Sequence, residues 1–311
     1  MPKTKSKEPS DYIVPLELNG LKGRLLRLPP KKPGQREILF IYGQHSSLER
    51  WWGLAQALNE FGGVTMPDMP GFGGMTSLYK IGQVASIDNL ADYLADFVKN
   101  KLEPEEVTLA AMSLAFAVAT RMLQRHPELA GRVTMLVSIV GLAHYEDFIF
   151  SPARSRFYRS AARFFSFEWP AAFFQGAFLQ PFYLRRAYKY SRFAKEKLAE
   201  LSGDEFKRTM DTEMVLWKIN DLRTQMKTNH EMFTLNNCNQ RLDLPVYHVA
   251  SKHDRYFDHE RIEAHFKLIF RSVTVFYTQD PNHAPTIVAT AAQAAPFIPD
   301  GLAREFTKTD P

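Results

Sequence analysis

Short apolar runs that end abruptly at glycine, proline or serine, with helical patterns between them, constrain this chain more than any other feature. Glu37–Tyr42 closes at Gly43, Gly63–Met66 at Pro67, Val107–Met112 at Ser113 and Val133–Val140 at Gly141; Pro245–Ala250 and Val273–Tyr277 follow much later. Runs apolar on both faces suit strands that are covered on both sides in a parallel sheet. Helical patterns over Leu48–Phe61, Ile87–Lys101 and Leu114–His126 separate the first four runs. This alternation predicts an α/β fold with a mostly parallel central sheet flanked by helices. A length of 311 residues accommodates it as one large unit with an insertion.

The alternation breaks between Tyr145 and Arg241, where strand signals give way to helical ones. We therefore expect a helical insertion over 145–241 dividing the core into 1–144 and 242–311. From Ser151 to Gln240 there are 15 Lys and Arg residues, 9 Asp and Glu residues, and 11 phenylalanines. Most of those rings must pack the insertion itself. The excess of positive charge reads as a solvated helical face, or as an attraction to anionic substrates or to a membrane surface.

Composition closes off several alternatives. A lone cysteine, Cys238, excludes an intramolecular disulfide and a thiolate metal cluster. The formal charge of +5 is too small to argue for nucleic-acid binding. Met1–Ser10 is polar, with no apolar stretch of the signal-peptide kind. Val133–Ala143 is far shorter than the roughly 20 residues of a membrane span. The expectation is a cytoplasmic protein; its oligomeric state is not legible.

Three positions carry candidate chemistry. Ser113 stands where an apolar strand meets an apolar helix, in Ala111-Met112-Ser113-Leu114-Ala115. Asp254 follows the strand run ending at Ala250, and His283 follows the run ending at Tyr277. Each has a plain alternative: a helix N-cap, a turn aspartate and a loop histidine. Together they place a nucleophile, an acid and a base after successive strand ends, in the order Ser, Asp, His.

These residues resemble the α/β-hydrolase fold, in the form that carries a helical cap. The likeness extends from about Tyr12 to Phe306. Pro67-Asp68-Met69-Pro70-Gly71-Phe72-Gly73 is similar to the family's D-x-P-G-x-G loop, and Phe40-Ile41-Tyr42-Gly43-Gln44 to its His-Gly segment. Tyr42 replaces the usual histidine, and Ala111 and Ala115 replace the glycines around the serine. The resemblance implies a cofactor-free serine hydrolase with Ser113 as nucleophile, His283 as base and Asp254 orienting it. It also implies an oxyanion hole from the backbone N–H groups of Gln44 and Leu114. A serine nucleophile argues against the carboxylate chemistry of haloalkane dehalogenases and epoxide hydrolases.

The insertion is expected to cover the triad as a lid, and His45, the rings of Phe164-Phe165-Ser166-Phe167-Glu168-Trp169, and Phe173 and Phe174 are the candidates for contact with a small apolar acyl or aromatic substrate. Asp147 is the alternative acid, because in some relatives the acid follows the preceding strand. His248 reads as a packed strand residue and His253 as pointing away from the site. No cluster of His, Asp or Glu has metal-ligand spacing. An ester or thioester is the expected substrate. A C–C bond hydrolase, an aminopeptidase and a non-catalytic hydrolase-like binding protein remain as alternatives, and weak contact of the basic cap with a membrane surface is compatible with any of them.

Overall fold

The computed structural model describes residues 8–190, 203–278 and 287–308. The chain opens with a hairpin, β1 (Ile13–Leu18) and β2 (Leu21–Leu28). Asn19 and Gly20 have φ of 53° and 77°. Two left-handed residues in sequence make the tight turn that matches the twist of its strands, and Asn-Gly is the pair that adopts it at least cost. The sequence reading overlooked this hairpin, because β1 and β2 mix exposed polar residues with buried leucines and never form a continuous apolar run.

Six further strands follow: β3 (Arg36–Ile41), β4 (Gly62–Pro67), β5 (Val107–Met112), β6 (Val133–Ile139), β7 (Leu242–Ala250) and β8 (Phe270–Tyr277). The sheet order is β1-β2-β4-β3-β5-β6-β7-β8. β2 is antiparallel to β1 and β4, and the strands from β4 to β8 are parallel. Every residue of β5 is buried, as its uninterrupted apolar run requires.

Helices α1 (Trp52–Leu58), α2 (Ile87–Lys101) and α3 (Leu114–Arg125) connect the first strands. α2 starts at Ser86, whose Oγ accepts from the Asn89 N–H at 3.1 Å, and it buries Leu90, Leu94 and Phe97 on one face. α1 is shorter than its sequence pattern, because its first turn is a 3₁₀ turn, Glu49–Trp51.

Between β6 and β7 lie α4 (Pro152–Phe165), α5 (Glu168–Ala177), α6 (Pro181–Tyr190), α7 (Gly203–Ile219) and α8 (Leu222–Met232). α8 sits firmly on the core. Asp221 N–H donates to Gly71 O at 2.8 Å, Ser77 and Thr224 share a hydroxyl contact at 2.9 Å, and Ile87 N–H donates to Glu231 Oε2 at 2.6 Å. α4 and α5 each bury only one residue, Ala162 and Ala171. After β7 come α9 (His259–Ile269), then α10 (Ala291–Ala294) and α11 (Asp300–Thr307) beyond β8. No helix among the described residues is long and apolar enough to cross a membrane.

Candidate active site

The carboxyl ends of parallel strands collect the polar residues that point out of an α/β sheet. β5 ends at Ser113, with φ 50° and ψ −125°. A positive φ on a non-glycine residue costs about 1–3 kcal/mol and persists only where its surroundings enforce it. Here the Ser113 N–H donates to Ile139 O at 3.0 Å, and Ser113 O accepts from the Phe116 N–H at 3.0 Å. Val140, next to that acceptor, is strained as well, with φ 44°. The Ser113 side chain makes no capping bond to α3, which removes the plain N-cap reading. Ala111 and Ala115 are buried, so the flanking positions meet the need for small residues with alanine.

The neighbouring strand end is equally close. A Cβ at Gly43 would lie 3.2 Å from the Ser113 Cβ. Gln44 Nε2 donates to Asn229 Oδ1 at 2.7 Å, which ties the loop after β3 to α8. The Leu114 N–H belongs to the first turn of α3 and so has no intrahelical acceptor. Tyr42, at the usual histidine position, is buried, and its hydroxyl donates to Asp68 Oδ1 at 2.5 Å. Arg24 Nε holds the other Asp68 oxygen at 2.9 Å. Burial pushes the Asp68 carboxyl up to about 7, against the pull of Arg24. Burial also raises the Tyr42 phenol, which keeps it protonated as the donor. The substitution thus braces the D-x-P-G loop from beneath.

Ser113 opens into a cavity of about 760 Å³, a size usual for small-molecule sites. The loop after β3 supplies Gly43, Gln44 and His45, and the insertion supplies the far wall, including Tyr158, Phe165 and Trp217. His45 has φ 52°, and its ring lies 4.3 Å from that of Trp217. Glu213 Oε2 stands 3.4 Å from His45 Nε2, yet neither ring nitrogen has hydrogen-bond geometry to a partner among the described residues. That ion-pair contact is too misaligned to satisfy the ring. Glu213 is itself buried, so the two make a polar corner in a cavity whose lining also includes Asn229, Arg154 and Arg255 among its aromatic rings.

Two expectations about the pocket need correction. Phe173 is 56% exposed and stacks on Trp169, and neither it nor Phe174 lines the cavity. Phe174 packs behind Phe165 at 4.8 Å, and Phe165 is the ring that faces inward. Two adjacent residues on a helix point about 100° apart, which sends Phe173 toward solvent and Phe174 onto Phe165. Phe148, Phe150 and Phe233, near the two ends of the insertion, line it instead and were missed.

The two candidate acids occupy different settings. Asp254 lies in the turn after β7, and its Oδ1 accepts from the N–H groups of Tyr256 at 2.8 Å and Phe257 at 3.2 Å. Asp147 is fully buried. It accepts from the Ala143 and His144 N–H groups at 2.8 and 2.9 Å, and from His265 Nδ1 at 2.5 Å. Ligand-type atoms of His144, Glu146 and His265 gather within 4.8 Å of one another beside it, a proximity hidden in the sequence because His265 comes from α9. Burial, then the neighbouring His265, lowers the His144 pKa. His248 is packed in β7 with Nδ1 2.9 Å from Ser138 Oγ, and His253 is exposed. His283 lies outside the described residues. The chain after it returns at Val288, whose N–H and C=O pair with Arg50 O and Gly53 N at 2.9 and 2.7 Å, alongside the loop that bears His45.

Comparison with known proteins agrees with this architecture. No curated protein matches the chain in sequence. Among solved structures it is similar to a bromoperoxidase from Bacillus anthracis (14% identity, 93% of this chain and 96% of that one, TM-score 0.65). It is also similar to a thermophilic esterase from Thermogutta terrifontis (16%, 95% and 99%, 0.57) and to an epoxide hydrolase (16%, 90% and 94%, 0.62). At such identities the likeness speaks for the fold. The family profile described as alpha/beta hydrolase fold matches residues 37–290, and with the eight-stranded sheet and the strand–serine–helix turn on the page, the chain belongs to the α/β hydrolase fold family.

Proposed function

We propose that the protein is a cofactor-independent serine hydrolase that cleaves an ester or thioester with an apolar acyl or aromatic part. The observation that carries this reading is the strained Ser113, relieved of any capping duty, at the floor of an aromatic-walled cavity. A serine hydroxyl at its ordinary pKa needs a base, and His283 takes its proton as Oγ attacks the carbonyl carbon. Asp254, held in plane by two backbone donors, orients the imidazole. Asp147 already serves three donors, which leaves the acid's role to Asp254.

The negative charge that develops on the carbonyl oxygen meets the N–H groups of Leu114 and Gln44. Their positions are set in advance by α3 and by the Gln44–Asn229 bond, so no reorganisation is required during reaction. The intermediate collapses as the protonated histidine gives its proton to the leaving alcohol or thiol. Water then attacks the acyl-enzyme with the same base. His45 and Glu213 supply a polar corner for a hydrogen-bonding group of the substrate, while Phe165 and its neighbours surround the apolar part. Residues 145–241 act as the cap that closes the cavity.

A series of p-nitrophenyl esters tests this directly. Lengthening the acyl chain should raise kcat/KM by up to about 0.8 kcal/mol for each CH₂ buried, until the cavity is full. Absence of turnover across this series and across a matching series of acyl thioesters would overturn the reading.

A further inference from the structure

The helices of the insertion carry aromatic rings on two sides. On α4, Tyr158 and Phe165 face the cavity, while Phe157 and Phe164 point away from it at 68% and 55% exposure. Trp169, Phe173, Phe178 and Phe182 continue this outer surface at 75%, 56%, 51% and 68%. Trp169, Phe173 and Phe178 form a chain of ring contacts with centroids 5.9 and 6.2 Å apart. Single exposed rings are ordinary on protein surfaces; a run of them on consecutive helices marks an interaction face.

The charge around these rings says what the face meets. From Ser151 to Arg186 there are six arginines and one acidic residue, Glu168; Arg154 turns to the cavity and Arg185 pairs with Asp211 at 3.3 Å, while Arg156, Arg159 and Arg163 are exposed on α4 beside the outer rings. Glu168 is already paired with Arg223 at 3.1 Å. Arg156 and Arg163, seven residues apart on α4, flank Phe157 and Phe164 along the same exposed side, and all four are exposed. We propose that the outer face of α4–α6 docks on an anionic lipid bilayer, with its rings at the level of the headgroups and its arginines on the phosphates. A second copy of the chain meeting this face about a two-fold axis would set arginines against arginines. A lipid surface supplies the opposite charge and an apolar layer together. Because no described helix is long and apolar enough to span, the contact lies in the plane of the interface. Docking stands on this surface alone. If the proposed reaction also holds, it sets the cavity, on the inner side of the same helices, beside the source of an acyl substrate.

The experiment is sedimentation with vesicles of phosphatidylcholine, with and without phosphatidylglycerol, read together with tryptophan emission. The full chain should bind the anionic vesicles at least tenfold more tightly than the neutral ones, and raised salt should release it. Binding should shift emission to the blue, and Trp169→Phe should remove that shift, because Trp51 and Trp52 are buried and Trp217 faces the cavity against His45, away from the outer rings. Phe157→Ser with Phe164→Ser, and separately Arg156→Glu with Arg163→Glu, should each weaken binding at least tenfold while circular dichroism and melting stay as in wild type. Vesicle binding that is absent in wild type, or that stays at the wild-type level in either variant, would overturn the proposal. So would a dimer, seen by sedimentation velocity, that the phenylalanine substitutions dissociate. None of these readouts uses hydrolysis, so failure of docking and failure of the proposed reaction are told apart.

Discussion

The strand ends of the sheet and the helices above them answer the same demand, a site held in place, by opposite means. At the end of β5 the residues on either side of Ser113 are buried, the backbone is strained, and the small residues Gly43, Ala111 and Ala115 let the strand ends and α3 approach closely. On α4 and α5 one small residue each is buried, and large rings stand in solvent on the outer side. Close packing fixes atoms to fractions of an ångström, as bond-making requires. A loosely seated aromatic layer fixes only a volume and its polarity. On the proposed reading, chemistry belongs to the sheet, and selection of what enters belongs to the insertion.

The sharpest way to break this division is Ser113→Ala. If the sheet end holds the chemistry, turnover should fall by about 10⁴ or more, with binding of a long-chain ester little changed. Stopped turnover with unaltered ester affinity, measured by equilibrium dialysis, is the expected pair of results. Asp254→Asn and Asp147→Asn separate the acids next. The first should cost about 10³–10⁴ in kcat at nearly constant stability. The second should spare most activity and cost about 3 kcal/mol in urea unfolding, because it breaks a buried charge bonded to three donors. Reversal of the two outcomes would move the acid to the end of β6.

The sheet was legible because its strands announce themselves. β5 matches its apolar run at both ends, and β3, β4 and β6 lie within a residue of theirs. β7 and β8 begin earlier than their apolar runs, with Leu242-Asp243 and Phe270-Arg271-Ser272, since strands toward a sheet edge tolerate polar residues. Strand-end position brought forward Ser113 and Asp254 as candidates, and His283 lies outside the described residues. The pocket was legible only in part: His45 and Phe165 line the cavity, whereas Phe173 and Phe174 do not. Which ring on α4 or α5 turns inward depends on helix rotation and on what packs behind it, as Phe174 does behind Phe165. Likewise Tyr42 is explained only by Asp68, which comes from a different strand end.

Acid titration sharpens the comparison from within the sheet. His248 is fully buried in β7, and burial lowers its pKa to about 4. The unfolded chain protonates near 6.5. The folded state therefore binds fewer protons between these values, and this part of stability, complete above about 6.5, is lost as pH falls toward 4. The shift is worth about 3 kcal/mol. Asp68, raised to about 7, works in the opposite direction over much of the same range. The informative quantity is thus the difference between wild type and His248→Gln in urea midpoints from pH 7 to pH 4.5. The wild type should lose stability relative to the variant; parallel curves would mean the histidine is solvated.

The smallest effect expected concerns the rings. Phe165→Ala should change kcat/KM for long-chain esters by about 1–3 kcal/mol and leave acetyl ester hydrolysis close to wild type. Phe173→Ala should leave chain-length preference unchanged, since its ring faces away from the cavity. Equal responses from both variants would erase the distinction between an inner and an outer face.

The central claim, that the strained serine at the end of β5 is the nucleophile, is tested most directly by covalent capture. The protein would be treated with a fluorophosphonate, digested, and the modified peptide sequenced by mass spectrometry. The account requires a single adduct on Ser113, formed more slowly as pH falls through the range of a histidine base, about 6.5, and absent from Ser113→Ala. An adduct on another residue, or labelling that persists in Ser113→Ala, would contradict it.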